Sequence, residues 1–417
     1  MAELSPRRAA LEALAAWRTK TRFADSIISK LLTETKLTGS DRGFALELFY
    51  GVLRNLTLLD FWVDCLRPAH LNVDLRDVLR LGLYQLFCLD TPPHAAVFET
   101  VELVKKKQRA IINAILRNAT RRRDELRERA RAQPLFVRRS HPQFLVARWE
   151  EHFGAKAAEH LCTWNNEPPS VYARINGLKI ARDEFLRRYG NFDPLATHPD
   201  FIEFHSFPTA ALDHGHCYIQ DPSTRIACQL LDPQPDERVL DVCAAPGGKT
   251  SYLAELMKNR GLIIACDREP ERVHVLEENV ARLGVAIARM YQCDWECDRM
   301  LEGIAAHAPF DRILVDAPCS NTGTMRRRVD VRWRLQPADF LHMQKRQVEI
   351  VRASASLLKP GGILVYSTCS LEPEENEQVV KRLGNELSML RLEEEKRSVP
   401  FRDGFDGAYA ARLVRLI

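Results

Sequence analysis

From residue 219 to its end, the chain alternates short apolar runs with helix-length amphipathic stretches. Residues 238–244, 262–267, 287–294, 312–316 and 362–369 read as strands; 249–258, 269–283, 337–358 and 374–383 read as helices between them. Strand and helix in regular alternation imply a parallel, doubly wound α/β sheet of Rossmann-like type. The last stretch, 408–417, reads as an edge strand. Ligands of such sheets bind at the carboxyl ends of the strands. A glycine turn (Ala244-Ala245-Pro246-Gly247-Gly248-Lys249-Thr250), Asp267, Asp294, Asp316, Cys319 and Cys369 all fall at that edge.

Upstream the pattern differs, and a chain of 417 residues is long for one core. Residues 1–132 read as helices, with apolar faces such as Leu11, Leu14 and Trp17, then Phe44, Phe49 and Val52, then Leu79, Leu83 and Leu86. Breakers fall at Thr38-Gly39-Ser40-Asp41, where Ser40 or Asp41 is expected to cap the next helix, and at Thr91-Pro92-Pro93. A basic helix over 110–130 stops before Pro134. Prolines divide residues 133–218 into short elements of a small α+β subdomain, with strands at 171–174 and 201–204. The expected division is 1–132, 133–218 and 219–417.

No run of about 18 apolar residues exists, so no membrane span is expected. The N-terminus lacks the apolar core of a secretory signal, which makes a cytoplasmic protein the default expectation. The eleven cysteines are scattered, with no CxxC pair, arguing against a disulfide framework or a zinc site. The best metal candidates, His214-Gly215-His216-Cys217 and Cys293 with Cys297, read instead as loop groups and small buried thiols; no metal is expected. Net charge is only +4, yet residues 105–139 hold thirteen Lys or Arg against three acids. That cluster, with Lys105, Lys106, Lys107, Arg109, Arg117, Arg121, Arg122 and Arg123, has the electrostatic form of a polyanion site.

The glycine turn lets backbone approach a ligand closely, and the helix after it offers free N–H groups. Asp267 ends the next strand twenty residues beyond Gly247, where a carboxylate can accept both ribose hydroxyls. The turn is neither GxGxxG nor GxxxxGK[ST], which favours a single nucleoside over a dinucleotide or triphosphate. Asp294 ends the third strand and suits an adenine amino group. Lys249 either orients a base or screens the carboxylates, or is simply a charged residue at a helix start.

Cysteine attacks as the thiolate, with a free pKa of about 8.5. Cys65, Cys88, Cys162 and Cys228 read as buried structural thiols. Cys319 and Cys369 stand instead in polar turns beside the cofactor edge, and Ser370-Leu371-Glu372-Pro373 reads as a helix entry that lends Cys369 dipole support. Two thiols at one sheet edge can attack a substrate and then release it. A nucleoside-like donor with such a pair suits methyl transfer to a carbon that is not itself nucleophilic, such as C5 of a pyrimidine. The base must be unpaired or flipped out, which suits single-stranded or bulged RNA. Arg326, Arg327, Arg328 and Arg332, with Trp333, either grip phosphates and stack a base or form a solvated loop anchored by Trp333.

The stretches Leu240-Asp241-Val242-Cys243-Ala244-Ala245-Pro246-Gly247-Gly248-Lys249-Thr250, Asp316-Ala317-Pro318-Cys319-Ser320 and Ser367-Thr368-Cys369-Ser370-Leu371 resemble, in order and spacing, the motifs of the Sun-type RNA cytosine-C5 methyltransferases. Gln220-Asp221-Pro222-Ser223-Thr224 resembles the segment leading into that family's catalytic domain. The helical region, with Ile112-Asn113-Ala114-Ile115-Leu116-Arg117, is similar to the NusB RNA-binding fold. The resemblance implies a class I methyltransferase domain binding S-adenosyl-L-methionine, with S-adenosyl-L-homocysteine as product. It implies a cofactor turn of Cys243, Ala244, Ala245, Pro246, Gly247, Gly248 and Lys249, with Asp267 on the ribose, Arg272 nearby, Asp294 near the adenine and Asp316 between cofactor and base. It also implies Cys369 as nucleophile and Cys319 as the releasing residue. Arg328-Val329-Asp330 departs from the family's usual His-Pro-Asp. Asp403-Gly404-Phe405-Asp406-Gly407-Ala408 departs from Asp-Gly-Phe-Phe and is expected at the active-site rim.

The NusB-like region points to 16S ribosomal RNA as partner, with Lys105, Lys106, Arg117, Arg121, Arg122, Arg326, Arg327 and Arg332 as RNA contacts, in a monomer. Transfer RNA or 23S ribosomal RNA is the rival target. A non-catalytic RNA-binding or antitermination factor is the rival class; it would be expected to have lost a cysteine or the glycine turn, and this chain keeps both.

Overall fold

The computed structural model describes residues 4–89, 91–296 and 302–416. The chain forms two compact units, Met1–Pro168 with Met325–Leu335, and Pro169–Thr324 with Gln336–Ile417.

The first unit is helical throughout. Ser5 caps its opening helix, Pro6–Arg18, by accepting from Arg8 N at 3.3 Å, and Asn72 caps Val73–Phe87 through Asp74 N at 2.8 Å. The third helix starts at Gly39, with Thr38 at its N-cap and no side-chain cap bond, so neither Ser40 nor Asp41 caps it. The basic stretch is two helices, Lys106–Arg121 and Arg123–Arg131, broken at Arg122. Ile112, Ile115, Leu116 and Ala119 bury one face of the first against a core that includes Leu14, Phe49, Val52 and Leu83. Three further helices, Leu135–Arg138, Gln143–Phe153 and Ala155–Asn166, also belong to this unit, beyond the expected boundary at 133. Met325–Leu335 completes it. Asp330 accepts Ala24 N at 2.9 Å, and Trp333 Nε1 donates to Leu53 O at 2.9 Å.

The second unit holds two sheets. The smaller is antiparallel, formed by β1 (Val171–Ile175), β2 (Phe192–Pro194), β3 (Phe201–Phe204) and β4 (Cys217–Ile219) in the order β2-β3-β1-β4. Arg174, wholly buried on β1, ties it to the neighbouring helix Gly248–Leu256 through Ser251 Oγ at 2.8 Å and through Glu255. The larger sheet contains β5 (Arg238–Asp241), β6 (Leu262–Asp267), β7 (Ala288–Gln292), β8 (Phe310–Asp316), β9 (Leu358–Thr368), β10 (Leu390–Ser398) and β11 (Ala408–Arg415). Its order is β10-β11-β9-β8-β5-β6-β7. Separate hydrophobic clusters include Leu240, Ile313 and Leu364 in one and Val239, Leu314 and Val365 in the other, the period-2 pattern of strands covered on both faces.

The sheet is mixed rather than wholly parallel. β11 pairs antiparallel with β9, and β10 antiparallel with β11. The C-terminal strand is therefore internal, and the edge belongs to β10. The chain runs outward from β5 to β6 and β7, then returns to the other side of β5 as β8. That reversal puts a topological switch point between β5 and β8, where doubly wound sheets bind their ligands.

Candidate active site

The turn after β5 sits at this switch point. Gly247 has φ +103°, a left-handed conformation, and a Cβ there would lie 3.0 Å from Leu276 Cδ1. Arg272 Nη2 donates to Ala245 O at 2.6 Å and Asn279 Nδ2 to Pro246 O at 2.9 Å, so the helix Pro270–Arg282 props the turn from below. Asp267 ends β6, nearly buried, and accepts Ala245 N and Glu269 N at 3.3 Å each, with Arg272 at 3.4 Å. These partners leave acceptor capacity on the carboxylate for a diol. The turn, the N-terminal amides of Gly248–Leu256 and Asp267 thus fit a nucleoside donor. Cys243 stays a neutral thiol, because burial and then Asp267, Asp316 and Asp241 all push its pKa well up.

Asp294 lies two residues beyond β7 at the same edge and accepts Glu296 N at 3.1 Å. Beside it, Trp295 Nε1 donates to Val242 O at 3.0 Å, fastening this loop to the glycine turn.

At the ends of β8 and β9, Asp316 is registered against Ser367. Ser367 Oγ donates to Asp316 Oδ1 at 2.8 Å, and Lys249 Nζ to Asp316 Oδ2 at 2.6 Å. Burial alone would lower the Lys249 pKa, but the charge and hydrogen bond of Asp316 raise it on balance. Lys249 is therefore a fixed cation, and Cys369 lies close enough to act on its charge.

The two sulfurs meet. Cys319 Sγ lies 3.3 Å from Cys369 Sγ, and Cys369 Sγ also donates to Asn321 Oδ1 at 3.2 Å. Asn321 takes φ +59° and donates its Nδ2 to Cys319 O at 2.8 Å, folding the loop back under the thiols. Cys319 is 9% exposed, whereas Cys369 is more open. The hydrogen bond to Cys369, then burial, then the Cys369 and Glu375 charges push the Cys319 thiol well up. No helix starts at Cys369: Pro373–Glu375 is a single short turn, and the next helix is Glu377–Glu386, so the expected dipole support is not built.

The rim segment does lie beside the cysteine loop. Gly407 N donates to Gly323 O at 2.8 Å, and Asp406 N to Asp221 Oδ1 at 3.2 Å. Ser320 and Ser370 stand in the cysteine motifs without a role of their own in the sequence, and Asn321 and Glu375, just beyond those motifs, carry no signal there except polarity.

Within the helical unit, Lys105, Lys106, Lys107, Arg117 and Arg121 are exposed, while Arg122 is half-buried and chelated by Glu125 at 2.7 and 2.8 Å. Arg332 is not a surface group. It is wholly buried, donating to Ser140 O at 3.2 Å, Asn166 Oδ1 at 2.6 Å and Asn165 O at 3.0 Å. Arg326 stacks 4.1 Å above Trp164 and donates to Pro168 O at 2.6 and 3.0 Å. Both carry loop structure rather than reach for phosphate; Arg327 is half-buried. Of the thiols read as buried, Cys162 and Cys228 are, Cys65 is partly so, and Cys88, at the end of Val73–Phe87, is exposed. Among the described residues no His, Cys, Asp and Glu group could hold a metal, and no helix is long and apolar enough to cross a membrane. Cys297 lies outside the described residues.

A glycine turn at the switch point, with a carboxylate on the adjoining strand, is how class I methyltransferases hold S-adenosylmethionine, and this chain is an enzyme of that class. Comparison with known proteins narrows the class. Residues 228–413 match the family model described as 16S rRNA methyltransferase RsmB/F, residues 4–121 the NusB family, and residues 141–191 the ferredoxin-like domain of RsmF/B-like methyltransferases. The chain belongs to the RsmB/F family of rRNA methyltransferases. It is 33% identical over 404 residues to the probable ribosomal RNA small subunit methyltransferase B of Bacillus subtilis, covering 91% of this chain and 88% of the relative. It is also 33% identical to ribosomal RNA small subunit methyltransferase B of an Escherichia coli strain, covering 92% of each. Among solved structures, PH0851 superposes with a TM-score of 0.79 over 98% of both chains at 24% identity, which speaks for the fold. A methyltransferase homolog from Pyrococcus horikoshii matches with a TM-score of 0.59 at 29% identity, over 68% of this chain and 98% of that one.

Proposed function

We propose that this enzyme methylates C5 of a cytosine in 16S ribosomal RNA, with Cys369 as nucleophile and Cys319 as the releasing residue. The 3.3 Å approach of the two sulfurs beside the Lys249–Asp316 pair carries the reading. S-adenosyl-L-methionine, held by residues 243–249, Asp267 and Asp294, supplies an electrophilic methyl group. The chain's own part is to make C5 nucleophilic. Attack of the Cys369 thiolate on C6 turns C5 into an enamine-like carbon. Asp316, held by Lys249 and Ser367, accepts from the exocyclic amino group of the base in this reading, and Lys249 offsets negative charge developing at N3.

Exposure separates the two thiols. Cys319 is 9% exposed and Cys369 is more open, so Cys369 is the sulfur a base can reach. Once Cys369 is bonded to C6, the Cys319 sulfur, 3.3 Å from it, stands beside the adduct to assist loss of the C5 proton and rupture of the C6–sulfur bond. The exposed cations of the helix Lys106–Arg121 hold the RNA backbone.

Incubation of the Cys319→Ala variant with 16S rRNA and the methyl donor is expected to trap a covalent RNA adduct that denaturing electrophoresis resolves, and Cys369→Ala to abolish it. An adduct that survives Cys369→Ala overturns the assignment. Bisulfite mapping of 16S rRNA from cells with and without the protein identifies the nucleotide; no cytosine lost from the methylated set overturns the 16S target, and a lost tRNA or 23S position replaces it.

A further inference from the structure

Between the cysteine loops lies a buried carboxylate to which the reaction assigns no role. Glu375 has no exposed surface. Its Oε1 accepts Ser320 N at 2.8 Å and meets Gln347 Nε2 at 3.4 Å. Its Oε2 accepts Ser320 Oγ at 2.5 Å and also the Ser370 hydroxyl. Ser320 follows Cys319, and Ser370 follows Cys369. A single side chain thus grips the residue next to each thiol. An ionised carboxylate suits the task because it only accepts and has lone pairs for donors arriving from both loops.

The surrounding bonds extend the grip. Gln347 Nε2 donates to Pro318 O at 2.9 Å, one residue before Cys319. Asn376 Nδ2 donates to Ser370 O at 2.9 Å, and its Oδ1 accepts Thr368 Oγ1 at 2.6 Å, bracketing Cys369. Leu371 N donates to Thr322 Oγ1 and Gly323 N to Cys369 O, each at 2.9 Å, joining loop to loop directly. Tyr366 donates its hydroxyl to Glu375 O at 2.5 Å, which anchors the clamp to β9. Burial raises the Glu375 carboxyl pKa, and the hydrogen bonds from Ser320 and Ser370 oppose that rise.

We propose that Glu375 is the positioning residue that fixes the separation of Cys319 and Cys369, acting through Ser320 and Ser370. Its importance for catalysis rests on the two-thiol reading above; the geometric claim does not. Two sulfurs that must serve one pyrimidine in succession have little room for error, since a misplacement of about 1 Å can cost roughly 100-fold in rate.

The test uses the full chain with Glu375→Ala, Glu375→Gln and Ser370→Ala. Diamide, a dithiol oxidant, joins Cys319 to Cys369 with loss of one hydrogen from each sulfur, and peptide mass spectrometry follows the rate. A merely structural role would leave this rate alone in a folded variant. Glu375→Ala is expected to slow cross-linking roughly tenfold and methyl transfer about 100-fold, with affinity for S-adenosyl-L-homocysteine unchanged. Glu375→Gln should restore much of both, because its amide oxygen can accept Ser320 N–H while its NH₂ donates to Ser370 Oγ. If Glu375→Ala does not fold, Ser370→Ala carries the test with a slowing of about threefold or more. A wild-type cross-linking rate in a folded Glu375→Ala or Ser370→Ala variant overturns the proposal. Slowed cross-linking with undiminished methyl transfer supports the clamp and refutes instead the two-thiol mechanism.

Discussion

Lys249 Nζ and Asp316 Oδ2 lie 2.6 Å apart, one from the helix after β5 and the other from the end of β8. The pair bridges the switch point of the sheet, and its cation stays charged because Asp316 outweighs the effect of burial. Lys249→Met removes the charge and retains the stem. Because the turn holds the donor through backbone while the Lys249 Nζ is engaged by Asp316, the variant is expected to lower kcat by roughly 100- to 1000-fold with little change in S-adenosyl-L-homocysteine affinity, which steady-state kinetics and calorimetry will separate. A loss confined to cofactor affinity would place Lys249 outside the chemistry.

Asp241 offers a pH test. It is wholly buried, its Oδ2 accepts Thr250 Oγ1 at 2.7 Å, and its Oδ1 has no hydrogen-bond partner among the described residues. Burial pushes its pKa up to about 7, with the Thr250 bond opposing and Asp316 adding to the rise. A carboxylate raised in the folded state binds its proton more tightly there than in the unfolded chain. Its contribution to stability is thus most favourable below the unfolded value of about 4 and declines as pH rises towards 7. Asp241→Asn cannot ionise. The stability of wild type relative to this variant should fall between pH 4 and pH 7 by an amount on the order of a few kcal/mol, measured by denaturant melts. A pH-independent difference would refute the assignment.

Gly323 permits a close crossing. A Cβ there would stand 2.7 Å from both Cys369 O and Gly407 Cα, and these backbone atoms cannot swing aside. Gly323→Ala is expected to shift the Cys369 loop and cut methyl transfer by about 100-fold. Cofactor affinity should survive, since the glycine turn is not touched. Radiolabel transfer and calorimetry on the same preparation give both numbers.

Charge and burial divide the basic residues into two groups that respond differently. Replacing exposed Lys105, Lys106 and Lys107 by Ala should weaken RNA binding and flatten its salt dependence, by roughly 0.7 to 0.9 in the log–log slope for each phosphate no longer neutralised. Arg332→Ala should leave that slope unchanged. It strands the buried oxygens of Ser140, Asn165 and Asn166 and should destabilise the helical unit by about 3 kcal/mol or more, read as a lower Tm.

Much of this organisation is legible in the residues alone. β6 (Leu262–Asp267) and the helix Pro270–Arg282 follow directly from apolar periodicity and a proline at the helix start. The cysteine motifs mark strand ends, and the sulfurs do converge. β10 is not legible, because seven of its nine residues are exposed and mostly charged, so no alternation marks its faces. Only its ladder with β11 makes it a strand, and that hidden partner turns the C-terminal strand from an edge into an interior one. Arg328 and Arg332 look alike in sequence, yet one is exposed and the other wholly enclosed. Glu374 and Glu375 are adjacent and chemically identical; long-range packing alone selects Glu375 to meet Ser320, 55 positions away.

The membership of Met325–Leu335 in the helical unit bears on how this protein can be taken apart. A fragment ending at residue 168 would lack Asp330, leaving the amide of Ala24 without its acceptor, and would lack the buried Val329. It would also leave an empty polar hole where the Arg332 guanidinium sits. Recombination at a single peptide bond therefore cannot yield an intact N-terminal module. Any lineage or laboratory that swaps the front half of this chain must bring along eleven residues encoded far downstream.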